Sequence, residues 1–146
     1  MSLDRKLLSA AQPELTQLVN AFFYRLDEFQ YEELVALMEP DALWHRQGKI
    51  QRGAQESLAA LAQRSRTQRI RHVITNLQIT DLDASAAKCV AYMTVYKHDD
   101  GVDAPIPRTI AGPSGFLLVS THFRRHGDQW LIAEMKATPE FQITPS

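Results

Sequence analysis

The chain is predicted to be an α+β protein, with N-terminal helices packed on a curved, mostly antiparallel sheet around a pocket. Two observations predict it. The first forty residues carry apolar side chains at helical spacing, and four long β-branched-rich segments follow one another after residue 69. Helices gathered ahead of a strand run suit an antiparallel sheet; a doubly wound parallel sheet needs a helix after each strand.

Taken in order, residues 4–11 suit a short helix, and Pro13 suits the first turn of a longer one. Leu15, Leu18, Val19, Phe22, Phe23 and Leu26 form its apolar stripe. A further helix is predicted over residues 31–38, closed by Pro40. Residues 42–47 read as a first strand, Gly48 as a turn and residues 49–52 as a short second strand. Gly53 opens an amphipathic helix that buries Leu58, Leu61 and Ala62. Strands are predicted over residues 70–81, 88–97, 116–125 and 130–136, with turn signals at 81–85 and at Gly127-Asp128. The long connection 98–115, rich in Gly and Pro, suits a lid or an interface arm.

Repeats, low-complexity tracts and linkers are absent from the sequence, so residues 1–146 read as a single domain. A chain of this length buries roughly two-thirds of its unfolded surface, enough for a core without disulfides. The net charge of −1 argues against nucleic acid as a partner. Residues 64–71 carry Arg64, Arg66, Arg69 and Arg71, a cluster that reads as a solvated helix end, with a bound anion as the alternative. The single cysteine, Cys89, reads as a small core residue and fits a cytoplasmic setting. No segment suggests a membrane span, and residues 1–6 lack the apolar core of a signal peptide.

Alternation along the strand 70–81 puts Ile70, His72, Ile74 and Asn76 on one face, and Val73, Thr75, Leu77 and Ile79 on the other. Beneath helices, His72 and Asn76 need polar partners. Asp27 is a candidate: it ends the apolar stripe, three residues from Tyr24 and four from Phe23. An Asp27–His72 contact would orient the imidazole as a general base. The competing reading makes Asp27 a simple helix end and His72 a satisfied core histidine. In the cluster Trp44-His45-Arg46, either Trp44 packs inward or His45 points into the cavity. Trp44 as a wall for an aromatic ligand competes with Trp44 as plain core. His122 and His126 lie on a strand, where a four-residue spacing does not pair them. The absence of a Cys pair, an HExxH motif, a phosphate-type Gly-rich loop and a GxSxG elbow leaves no metal and no cofactor expected.

These stretches, in this order, are similar to a known superfamily. Phe22-Phe23-Tyr24-Arg25-Leu26-Asp27, then residues 31–38 and Asp41-Ala42-Leu43-Trp44, resemble its helix, helix, first-strand opening. The turn from Gly48 to Gly53, Arg71-His72-Val73-Ile74-Thr75-Asn76 and the final Gly127-Asp128-Gln129-Trp130 hairpin extend the likeness over nearly the whole chain. The chain resembles the SnoaL-like branch of the nuclear-transport-factor-two-like (cystatin-like α+β cone) proteins. The resemblance implies a cone-shaped pocket on which Tyr24, Asp27, His45, His72 and Asn76 match lining positions. Polyketide cyclases, dehydratases, ketosteroid isomerases and dioxygenase β subunits share that fold, and the carboxylate pattern of the isomerases has no match here.

Three functions follow as expectations. The first is a cofactor-independent lyase or isomerase performing dehydration, isomerisation or cyclisation on a small cyclic or aromatic compound. In it His72 is the base, Asp27 its orienter and Tyr24 or Asn76 the oxyanion donor, with Trp44, His45 and Asn76 binding the ligand. The second is a module that binds a small hydrophobic ligand unchanged. The third is a structural subunit or scaffold, and a homodimer is expected because an open sheet face needs cover.

Overall fold

The computed structural model describes residues 3–144; Met1 and Ser2, which belong to the segment read as lacking a signal peptide, lie outside them. Three helices and six strands follow in the order α1 (Arg5–Asp27), α2 (Tyr31–Val35), β1 (Met38–Arg46), β2 (Lys49–Arg52), α3 (Gly53–Leu61), β3 (Arg69–Leu82), β4 (Ala86–His98), β5 (Gly115–His126) and β6 (Gln129–Phe141). The strands form one sheet in the order β2-β1-β6-β5-β4-β3. All its neighbours are antiparallel except β1 and β6. Register shifts interrupt the β1–β6, β3–β4 and β5–β6 pairs. Such bulges bend strands and sharpen twist, which curves the sheet around the helices. None of the described helices is long and apolar enough to cross a membrane.

Helix α1 is continuous where the sequence suggested two helices. The Asp4 carboxylate caps it by accepting the Leu7 N–H at 2.9 Å. Pro13 sits inside it, not at its start. Proline removes one intrahelical hydrogen bond, but Pro13 and Ser9 four residues earlier are both exposed, so water can satisfy the freed carbonyl. The buried stripe runs Ala11, Leu15, Val19, Phe22, Phe23, Leu26 and ends on Asp27. Phe22 packs edge-on against Trp44, with ring centroids 5.2 Å apart, and joins α1 to the sheet.

The second helix is shorter than expected, because Met38 already belongs to β1 and Pro40 lies within that strand. Pro40 is tolerated there because β2 pairs β1 only over Leu43–Arg46, so no neighbour on that side needs its N–H. Gly53 then turns into α3 with φ +72, and a Cβ there would stand 2.6 Å from the Pro40 carbonyl oxygen. Glycine is therefore required at that junction by both conformation and space. Ala62, expected to be buried, is exposed just past the end of α3.

The inner face of the sheet carries Ile70, His72, Ile74, Cys89, Met93, Val119, Ile132 and Met135 against the helices. Burial pushes the Cys89 thiol up to about 11, which keeps it a neutral core side chain. The outer face has no cover among the described residues. It presents Val73, Tyr92 and Tyr96, and the ring ladder Tyr92–Phe116–Phe141 with centroids 5.8 and 5.4 Å apart. The connection 99–114 is irregular and pinned by Arg108, whose guanidinium donates to the carbonyls of Thr67 at 2.6 Å and Ala104 at 3.2 Å.

Candidate functional site

Asp27 and His72 meet. Asp27 is the last residue of α1, where its charge faces the negative end of the helix dipole. Two donors from β3 offset that placement. The His72 backbone N–H reaches Oδ2 at 3.0 Å, and the ring Nδ1 lies 2.5 Å from Oδ1. Both side chains are nearly sealed, at 6% exposure for Asp27 and 10% for His72. The Phe23 ring, one helical turn before Asp27, packs on the imidazole with centroids 5.2 Å apart. A buried carboxylate accepting Nδ1–H fixes the ring's orientation and leaves Nε2 with its lone pair. Nε2 makes no hydrogen bond to another described residue.

His72 forms part of the wall of a cavity of about 340 Å³. Leu26 of α1, Arg46 at the end of β1, Ala60 of α3, Arg64 and Gln68 before β3, Ile70 of β3 and Lys97 of β4 complete much of that wall. The volume falls at the small end of ligand sites, roughly 300–1,000 Å³. Arg64 is held in place: its Nη1 donates to the Leu26 carbonyl at 2.9 Å and to the Tyr31 hydroxyl at 2.7 Å. Its guanidinium also stacks on the rings of Phe29 and Tyr31. Arg46 is half-buried beside it, and burial together with the Arg64 cation pulls the Arg46 pKa below the ordinary arginine value.

Four residues expected at the site are elsewhere. Tyr24 is 61% exposed on the outer side of α1, because it is one helical step, about 100°, from Phe23. Asn76 is exposed with φ +56: Asn76 and Leu77 together stand opposite Ala91, and this bulge turns Asn76 out and Leu77 and Ile79 in. His45 points to the outer sheet face, where its Nε2 lies 2.6 Å from Glu134, which also stands 3.5 Å from His122 Nδ1. Trp44 packs inward as core against Phe22 and does not line the cavity. The connection 99–114, expected as a lid or arm, contributes no residue to the cavity wall.

The sequence reading missed Arg46, Arg64, Gln68 and Lys97 as wall residues. A signal for Arg46 was present, since strand alternation puts it on the same face as the inward Trp44. Arg64 belongs to the basic cluster read as a solvated helix end, and it is the member that turns inward. Arg71 instead pairs with Glu28 at 2.9 Å, and Arg66 lies over the Phe29 ring.

A larger groove, about 800 Å³, lies at the other end of the molecule between Leu43, the β3–β4 turn and Glu134. Of its charged groups, Glu134 is engaged by His45 and His122, and Arg124 by the buried Glu39. It lacks a histidine with a free ring nitrogen held by a buried carboxylate. The smaller cavity is therefore the stronger candidate for chemistry.

Residues 9–136 match the family described as SnoaL-like domain. No curated protein matches the chain. Among solved structures, it is similar to a protein of unknown function with a cystatin-like fold from Nostoc punctiforme, at 20% identity and a TM-score of 0.71, covering 96% of each chain. It is also similar to a Catenulispora acidiphila protein in complex with S-DNPA, at 21% identity and a TM-score of 0.71, covering 90% of this chain and 95% of that one. A third is the β subunit of a putative aromatic-ring-hydroxylating dioxygenase from Novosphingobium aromaticivorans, at 14% identity and a TM-score of 0.73, covering 92% of each chain. At these identities the likenesses show the fold alone.

Proposed function

The chain belongs to the SnoaL-like domain family, and on that premise we propose that it is a cofactor-independent acid–base enzyme acting on a small cyclic or aromatic carbonyl compound. One observation carries the reading: a buried Asp27 carboxylate 2.5 Å from His72 Nδ1, on a ring that borders a ligand-sized cavity. The S-DNPA bound by the Catenulispora protein supports a small molecule as occupant. The single Cys89, which has no cysteine to pair with in this chain, suits a cytoplasmic setting.

His72 Nε2 takes a proton from the carbon next to the substrate carbonyl, and the C–H electron pair moves through carbon to leave an enolate oxygen. Asp27 stabilises the imidazolium so formed. With Tyr24 and Asn76 turned away, the oxyanion donor falls to a cation of the wall, Arg46 or Arg64. The imidazolium then returns its proton. Delivery to another carbon completes an isomerisation; delivery to a departing β-hydroxyl completes a dehydration and releases water.

A screen of small cyclic and aromatic ketones in D2O, read by proton NMR, tests this. The wild type is expected to exchange the proton next to the carbonyl or to convert the compound, and His72→Ala is expected to do neither. A compound bound and recovered without exchange in the wild type would favour a binding module instead.

We also propose that the uncovered sheet face pairs with a second copy of the chain. Its aromatic ladder of Tyr92, Phe116 and Phe141 stands on the outer face with Tyr96 and Val73, and an exposed apolar patch of this kind favours a symmetric partner. Light scattering after size exclusion is expected to give twice the chain mass, and Tyr92→Lys is expected to shift the protein toward monomer. A wild type that stays monomeric at high concentration would contradict it.

A further inference from the structure

We propose that the cavity beside His72 is built for a small organic anion, so that the substrate carries a carboxylate as well as its reacting carbonyl; this rests on the acid–base reading of the same cavity. Arg46, Arg64 and Lys97 border it, and among the described residues no Asp or Glu does. None of the three cations forms an ion pair with an acidic side chain among the described residues. The Asp27 carboxylate, on the other side of the imidazole's Nδ1, is occupied by the His72 ring and backbone N–H.

The position of the two arginines makes this costly for an empty or neutral site. Arg46 is half-buried next to Arg64, and burial first and the Arg64 cation second disfavour its charge. Like charges brought together out of water need a counter-charge. The rest of the molecule offers carboxylates to other cations, such as Glu28 to Arg71 and Glu39 to Arg124, yet none to this pair. Arg64 is held rigidly by Leu26, Tyr31 and Phe29, so its fork is set before a ligand arrives. A single enolate oxygen needs one such donor, and the second arginine is then free to fix a ground-state carboxylate. Lys97 stands exposed at the rim, close to Asp99, and adds attraction at entry.

The test uses benzoate and benzamide, two flat aromatic probes of similar shape that differ in charge. Binding is measured by calorimetry at low salt, with the His72 ring resonances locating the site. Benzoate is expected to bind at least about tenfold more tightly than benzamide, the scale of one charge-assisted hydrogen bond. Arg46→Gln is expected to erase that preference, and Arg46→Lys, which keeps the charge, to lose less of it. Equal affinity for the two probes, no binding of benzoate, or an unchanged preference in a folded Arg46→Gln protein would overturn the inference. Its failure is separable from failure of the acid–base reading: His72→Ala removes the base and leaves both arginines. Proton exchange that survives His72→Ala sinks the enzyme reading while a benzoate preference stands. Exchange that needs His72, with benzoate and benzamide bound alike, sinks the anion site alone.

Discussion

His72→Ala is expected to lower turnover by about 10²–10⁴-fold, the range in which a positioned general base contributes. The loss should fall on the proton-transfer step, because His72 borders the cavity while Phe23 and Asp27 hold its ring in place. Asp27→Asn is expected to follow it, by up to about 10⁴-fold where the carboxylate sets the histidine tautomer. The amide that this substitution introduces can donate to Nδ1, which moves the ring proton to Nε2 and removes the base. Tyr24→Phe separates this account from one that relies on the tyrosine: at 61% exposure on the far side of α1, Tyr24 has no part in the step, and the rate should stay unchanged. Steady-state kinetics on a compound found by proton exchange gives all three numbers. A Tyr24→Phe protein as impaired as His72→Ala would move the chemistry out of the cavity.

The largest effect on stability is expected at Phe22. Its side chain is fully buried, 5.1 Å from the Phe23 ring and 5.2 Å from Trp44, centroid to centroid. Phe22→Ala is expected to cost about 3–5 kcal/mol, because the cavity it leaves is walled by other large side chains that cannot all collapse into it. Tyr24→Ala, two residues on but exposed, should change stability by less than about 0.5 kcal/mol. Urea unfolding followed by circular dichroism measures both. Similar midpoints for the two variants would mean that the helix sits on the sheet by a different face.

The contrast between Phe22 and Tyr24 also shows where the sequence was legible. The apolar stripe of α1 follows a fixed helical step and ends on Asp27, so helical spacing alone tells which way that carboxylate faces. His72 was legible for the same reason, since Ile70, His72 and Ile74 alternate inward without interruption. Asn76 was not: one inserted residue at Asn76–Leu77 reverses the alternation, and nothing in the local sequence announces a bulge there. The helix boundaries failed at proline. Pro13 and Pro40 resemble start and stop signals, yet at Pro13 water can satisfy the freed Ser9 carbonyl, and at Pro40 no neighbouring strand needs the missing N–H. The cations of the cavity were hidden by their chemistry. Arginine and lysine read as solvent-facing by default, and only the third dimension brings the ends of β1 and β4 and the segment after α3 to one opening.

The central claim is that Asp27 holds the His72 ring so that Nε2 is an unprotonated base facing the cavity. A long-range proton–nitrogen NMR spectrum of the neutral His72 ring tests it without any substrate. The wild type is expected to show a proton on Nδ1 and a bare Nε2, and Asp27→Asn to show the proton moved to Nε2. A wild-type ring with its proton on Nε2 would contradict it, because the nitrogen proposed as the base would then have no lone pair to accept a substrate proton.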